Sequence, residues 1–147
     1  MKILLAVDGS SGSDDAVKEV AQRPWPNPST VCIICVIRPF VPPANEFVLA
    51  AATMVDIRQQ QTRAAEQLTT KARELLAAPG LSVQTTIREG DPRTEIVSEA
   101  DDWTADLIVV GSHGRTGLQR MVLGGVAQSV VAHAHCSVEV VRRRKLA

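Results

Sequence analysis

Five short apolar runs alternate with four segments of helical periodicity, and this alternation constrains the fold more than any other feature of the sequence. The runs are Lys2 to Asp8, Thr30 to Ile37, Leu81 to Arg88, Asp106 to Val110 and Ser137 to Val141. They are short and rich in β-branched residues; the first, second and fourth are near-continuous apolar runs, as expected of strands buried on both sides, whereas Leu81 to Arg88 alternates less cleanly. Parallel neighbours need a crossover of a dozen or more residues, and a helix between every two strands supplies one. The chain therefore reads as an open, Rossmann-like α/β domain over 1–147, with five parallel strands and helices on both faces. No internal repeat or interdomain linker interrupts it.

The helices carry their own punctuation. The first spans about Ser13 to Gln22, with Ala16, Val17, Val20 and Ala21 at helical spacing, and Pro24, Pro26 and Pro28 end it. The second is secure from Thr53 and is expected to begin as early as Glu46. Its stripe of Met54, Ile57, Gln61, Ala64, Ala65, Leu68, Ala72, Leu75 and Leu76 runs to Pro79-Gly80. Such a stripe fits a helix lying on a sheet better than a coiled coil. Asp91 as cap and Pro92 at the first position start the third, which buries Ile96, Val97, Ala100 and Trp103. The fourth covers about Gly125 to Ala134.

In open parallel sheets the ligand lies beyond the carboxyl ends of the strands, where strand order reverses. The fourth strand runs directly into Gly111-Ser112-His113-Gly114, and nine residues later Gly124-Gly125 opens a helix. A glycine loop entering a helix N-terminus is an anion site: backbone N–H groups can crowd the ligand, and the helix dipole adds about half a positive charge. The loop also holds Arg115, Thr116 and Arg120, and no carboxylate lies between Gly111 and Gly125. This marks a phosphate cradle beside strands one and four, and gives the order 3-2-1-4-5. The first loop, Gly9 to Ser13, is a poorer site, because Asp14 and Asp15 already occupy that helix's dipole. Asp8 would repel phosphates, so its place as a ligand contact is at the base or ribose end.

Composition removes other classes of function. With 16 basic and 16 acidic residues the net charge is zero, and aromatics make up 3% without any Tyr. General nucleic-acid binding, which needs a basic surface or stacking platforms, is disfavoured. No apolar stretch approaches the roughly 20 residues of a membrane helix, and Met1-Lys2 leads straight into a strand, so a cytoplasmic protein is expected. Cys32 and Cys35 look like a redox pair, but three positions along a strand separate them by about 10 Å on opposite faces. They read as buried structural thiols. His133, His135 and Cys136 straddle a helix end and a strand start, so their side chains diverge and no metal site is assigned. The Arg142 to Lys145 run reads as a solvated tail. Glu139 interrupts an apolar strand, which fits a sheet edge.

Three blocks together resemble the universal stress protein family over nearly the whole chain. They are Lys2 to Ser10, Arg88 to Pro92, and Asp106 to Val141, the last carrying Gly111-x2-Gly114-x9-Gly124 of the ATP-binding branch. The resemblance implies adenine contacts at Asp8 and the Val36 backbone, with Ala6 and Val7 lining the base pocket. It implies phosphate and ribose contacts at Gly111, Ser112, His113, Gly114, Arg115, Gly124, Gly125 and Val126. Gly125 stands where the family usually has Ser or Thr. The implied cofactor is ATP, with AMP or cyclic AMP as variants, and magnesium accompanying the triphosphate. The implied assembly is a homodimer through the edge strand Ser137 to Val141, where Glu139 replaces a usually apolar residue. The expected role is a nucleotide-sensing stress-response module. No catalytic residues are assigned, for there is no Walker lysine and no nucleophile elbow. The alternatives are a nucleotide-independent interaction module, a slow ATPase and a cyclic-AMP binder.

Overall fold

A computed structural model describes residues 1–44, 50–114 and 123–143. The element order is β1 (Lys2–Ala6), α1 (Ser11–Gln22), β2 (Ser29–Ile37), α2 (Ala50–Leu75), β3 (Leu81–Glu89), α3 (Pro92–Trp103), β4 (Leu107–Gly111), α4 (Gly125–His133) and β5 (Ser137–Val141). The strands form one parallel sheet in the order β3-β2-β1-β4-β5. That is the order expected from the position of the glycine loop.

Strand alternation divides the interior into two cores. Ile3 and Leu5, Val31, Ile33 and Cys35, and Leu107 and Val109 meet Ala16, Val17 and Val20 of α1 and Ala65 and Ala72 of α2. On the other face Leu4, Cys32, Ile34, Ile108 and Val110 meet Ile96 and Ala100 of α3 and Ala127 and Val130 of α4. Cys32 and Cys35 thus lie in different cores, both buried. Burial pushes the Cys32 thiol above its ordinary range.

Boundaries differ from expectation where side chains intervene. β1 stops at Ala6: Val7 N–H still donates to Ile34 O, but Asp8 N–H donates to Ser13 Oγ and turns the chain. α1 starts at Ser11, two residues early, because the Ser10 hydroxyl caps it by accepting from Ser13 N–H. The early start expected for α2 near Glu46 lies outside the described residues.

α3 starts as its sequence indicates. Asp91 accepts from Arg93 N–H at 3.0 Å, and Pro92 fills the first position. The Arg93 side chain also bonds the Asp91 carboxylate and, with the backbone bond, holds it below the usual carboxylate range. A carboxyl lowered by folding stabilises the protein above its unfolded pKa, and that contribution is lost as pH falls through the folded value. Loss of this helix cap in Asp91→Ala is expected to cost about 1 kcal/mol at neutral pH. In urea titrations the deficit should shrink under acid conditions, below the usual carboxylate range.

Candidate functional site

A cleft opens at the carboxyl ends of β1 and β4, the pair at which strand order reverses. Its walls are mostly apolar: Ala6, Val7, Ile34, Val36, Ile96, Val110, Val126 and Ala127 line it. Polar groups gather on one side, from Asp8, Ser10 and Ser13 after β1 and from Gly111, His113 and Gly114 after β4.

Backbone polarity at the apolar end follows from strand geometry. β1 pairs with β2 only as far as Ala6 opposite Ile34, while β2 continues to Ile37. Ile34 O accepts from Val7 on the β1 side, and Ile37 O accepts from Gly90 on the β3 side. Peptide groups alternate direction along a strand, so Val36 turns its N–H and C=O towards the β1 side, beyond the end of β1. One donor and one acceptor thus face the apolar end of the cleft.

At the polar end the first turn of α1 and the loop after β4 are locked together by backbone contact. A Cβ on Gly12 would overlap His113 O, and one on Gly111 would overlap the Gly12 carbonyl group. Ser10 Oγ donates to His113 O at 3.3 Å and completes the latch. Glycine at 111 is therefore required by loop packing whatever the ligand. Asp8 Oδ1 accepts from Ser10 N–H at 2.9 Å, while Oδ2 faces Gly114, where a Cβ would sit 2.9 Å from it. The carboxylate therefore stands beside the glycine loop.

α4 begins beside the polar end of the cleft, where Val126 and Ala127 line it. Its N-cap is Gly124, which has no side chain to cap the first turn. Gly124 N–H itself donates to Ser112 O at 2.7 Å, and Ser112 N–H donates to Val141 O at 2.9 Å. Those two amides hold the loop to itself and to β5. Among the described residues of the loop, the Ser112 and Gly124 amides are thus engaged within the protein. A Cβ on Gly125 would meet nothing within 4 Å.

Of the residues expected at the site, Ala6, Val7, Asp8, Val36, Gly111, His113, Gly114 and Val126 all line this cleft. Ser112 does not. It is buried, and its hydroxyl bonds His113 Nδ1 at 3.1 Å. Gly124 and Gly125 flank the cleft without lining it, and Arg115 lies outside the described residues, as do Thr116 and Arg120. Sequence reasoning missed Ser10 and Ser13, whose spacing after Asp8 is a capping pattern. It also missed Ile96, visible only as part of an amphipathic helix. His133 turns onto Ser129 O of its own helix, and His135 meets Asp101 at 3.1 Å. The two histidines thus turn to different partners, and no described helix is long and apolar enough to cross a membrane.

Comparison with known proteins places the chain in a family. The family model of the universal stress protein family matches residues 1–142. Universal stress protein MJ0531 of Methanocaldococcus jannaschii is 34% identical over 98% of this chain and 83% of its own length. The solved structure of hypothetical protein MJ0577 superposes with a TM-score of 0.84 at 28% identity, covering 99% of this chain and 97% of the other. Two more distant structures share the fold. One is an Arabidopsis thaliana universal stress protein family member with AMP bound, with a TM-score of 0.68 at 21% identity over 98% of this chain and 92% of that one. The other is a universal stress protein in complex with cAMP, with a TM-score of 0.63 at 22% identity over 97% and 96%. The chain belongs to the universal stress protein family.

Proposed function

We propose that this chain binds an adenine nucleotide, ATP foremost, and acts as a dimeric nucleotide-sensing module of the cytoplasm rather than as an efficient enzyme. One observation carries the proposal: an apolar slot faced by the Val36 N–H and C=O leads to the uncapped N-terminus of α4. Adenine offers an acceptor ring nitrogen beside a donor amino group, which matches one backbone N–H and one C=O. The phosphates would extend over Gly114 to the first turn of α4, where the helix dipole and free amides favour negative charge. Relatives that hold AMP and cAMP support the same class of ligand. Magnesium would accompany a triphosphate, whose charge exceeds what His113, Arg115 and Arg120 neutralise. β5 lies at the sheet edge and would pair with its copy in a homodimer.

The Val36 pattern makes a selective prediction. On the same edge guanine presents an acceptor oxygen where adenine has its donor amino group and a donor N–H where adenine has its acceptor nitrogen, so both bonds to Val36 would be lost. A site built on such bonds rejects the mismatched base strongly, because its own buried groups are left unpaired. Calorimetry is expected to show ATP binding at least about tenfold tighter than GTP, one factor of ten for about 1.4 kcal/mol. Equal affinities, or no heat with either at millimolar concentration, would refute the base assignment.

A further inference from the structure

A carboxylate sits in the middle of the edge strand, and its partner comes from a distant helix end. Arg23, the C-cap of α1, donates through Nη1 to Glu139 Oε2 at 2.5 Å and through Nη2 to Glu139 Oε1 at 2.6 Å. The same Nη2 reaches Glu19 Oε1 at 2.8 Å, and the guanidinium lies 5.0 Å from the Trp25 ring centroid. Two carboxylates and a ring thus hold one rotamer, and Glu139 is left 26% exposed. The remainder of β5 is half-buried valine apart from Ser137. Without Arg23 it would be an apolar edge guarded by one bare charge, a common device against edge pairing.

We infer that Arg23 licenses β5 to pair with a second copy of this chain, by cancelling the Glu139 charge that would otherwise keep the edge single. The inference rests on the dimer reading above and adds the residue that controls it. When a strand only five residues long pairs with its copy across a two-fold axis, the two Glu139 side chains fall on the same sheet face. They would stand opposite or one diagonal step apart, within about 5–8 Å. Bare carboxylates at that spacing repel each other, whereas two bidentate ion pairs do not. Each copy brings its own arginine, so the arrangement is self-complementary.

The test is the dissociation constant of the dimer by analytical ultracentrifugation of the full chain, with far-UV circular dichroism to verify folding. Wild type is expected to dimerise. Arg23→Ala should weaken the dimer roughly a hundredfold, about ten for each of two symmetry-related charges. Glu139→Val should remain a dimer, and the double variant Arg23→Ala with Glu139→Val should recover it. That recovery separates loss of charge cancellation from general damage to α1. A folded Arg23→Ala protein with the wild-type constant, or a double variant no better than Arg23→Ala, overturns the role of Arg23 and leaves the dimer intact. A wild type that stays monomeric at every concentration overturns both the dimer and the inference.

Discussion

Gly111→Ala is expected to lower folding stability by about 3 kcal/mol and to weaken adenine-nucleotide binding at least tenfold. The cause is backbone against backbone. The atoms nearest a Cβ at this position are the Gly12 carbonyl carbon and oxygen and Ser13 N, none of which can rotate away. Relief requires α1 and the end of β4 to part, which also disturbs the Ser10 to His113 bond and the placement of Gly114. In a chain of 147 residues, with about 2–4 °C of melting temperature lost per kcal/mol, the thermal midpoint should fall by roughly 6–12 °C. Gly125→Ala provides the control. A Cβ there meets nothing within 4 Å, and alanine is a better helix residue by about 0.5–1 kcal/mol. That variant should be as stable as wild type or slightly more so. Equal melting temperatures for Gly111→Ala and wild type would show that the first turn of α1 and the loop after β4 are not locked as described.

The opposite change is expected at the other glycine. Gly125→Ser should tighten ATP binding by about ten- to a hundredfold, because a hydroxyl bonded to a charged phosphate contributes roughly 1.5–3 kcal/mol. Gly125 is the first residue of α4, beside amides without a side-chain cap. Open space around its Cα admits the serine without displacing a neighbour. The gain should appear with ATP and AMP and vanish with adenosine, which has no phosphate to meet the hydroxyl. Calorimetry with the three ligands separates these cases. An unchanged constant for ATP would place the phosphates away from the first turn of α4.

Most of the fold could be read from the chain because each strand carries its burial in its own composition. β2 is the plainest case. Its unbroken apolar run has the signature of a strand covered on both faces, and its two cysteines fall into separate cores as period two requires. Asp91-Pro92 marked the start of α3 for an equally local reason. The site was less legible because it is made by residues distant in sequence. Gly111 reads locally as a phosphate-loop glycine, but its need for glycine comes from Gly12. Nothing within a few residues of either position records that contact. Likewise the Ser112 and Gly124 amides look available in a glycine-rich segment, and only the fold reveals their acceptors on Val141 and Ser112. Glu139 pointed correctly to a sheet edge. Its arginine lies 116 residues away and left no trace near the strand.

The central claim is that Val36 and the first turn of α4 are two ends of one nucleotide seat. Backbone amide shifts of the isotope-labelled protein, followed by NMR during titration with ATP, test it most directly. The account predicts saturable shifts at Val36, Gly114, Gly125 and Val126, with Thr104 and Asp106 at the opposite end of the sheet unmoved. Silence at Val36 and at the start of α4 under saturating nucleotide, or movement confined to another face, would contradict it.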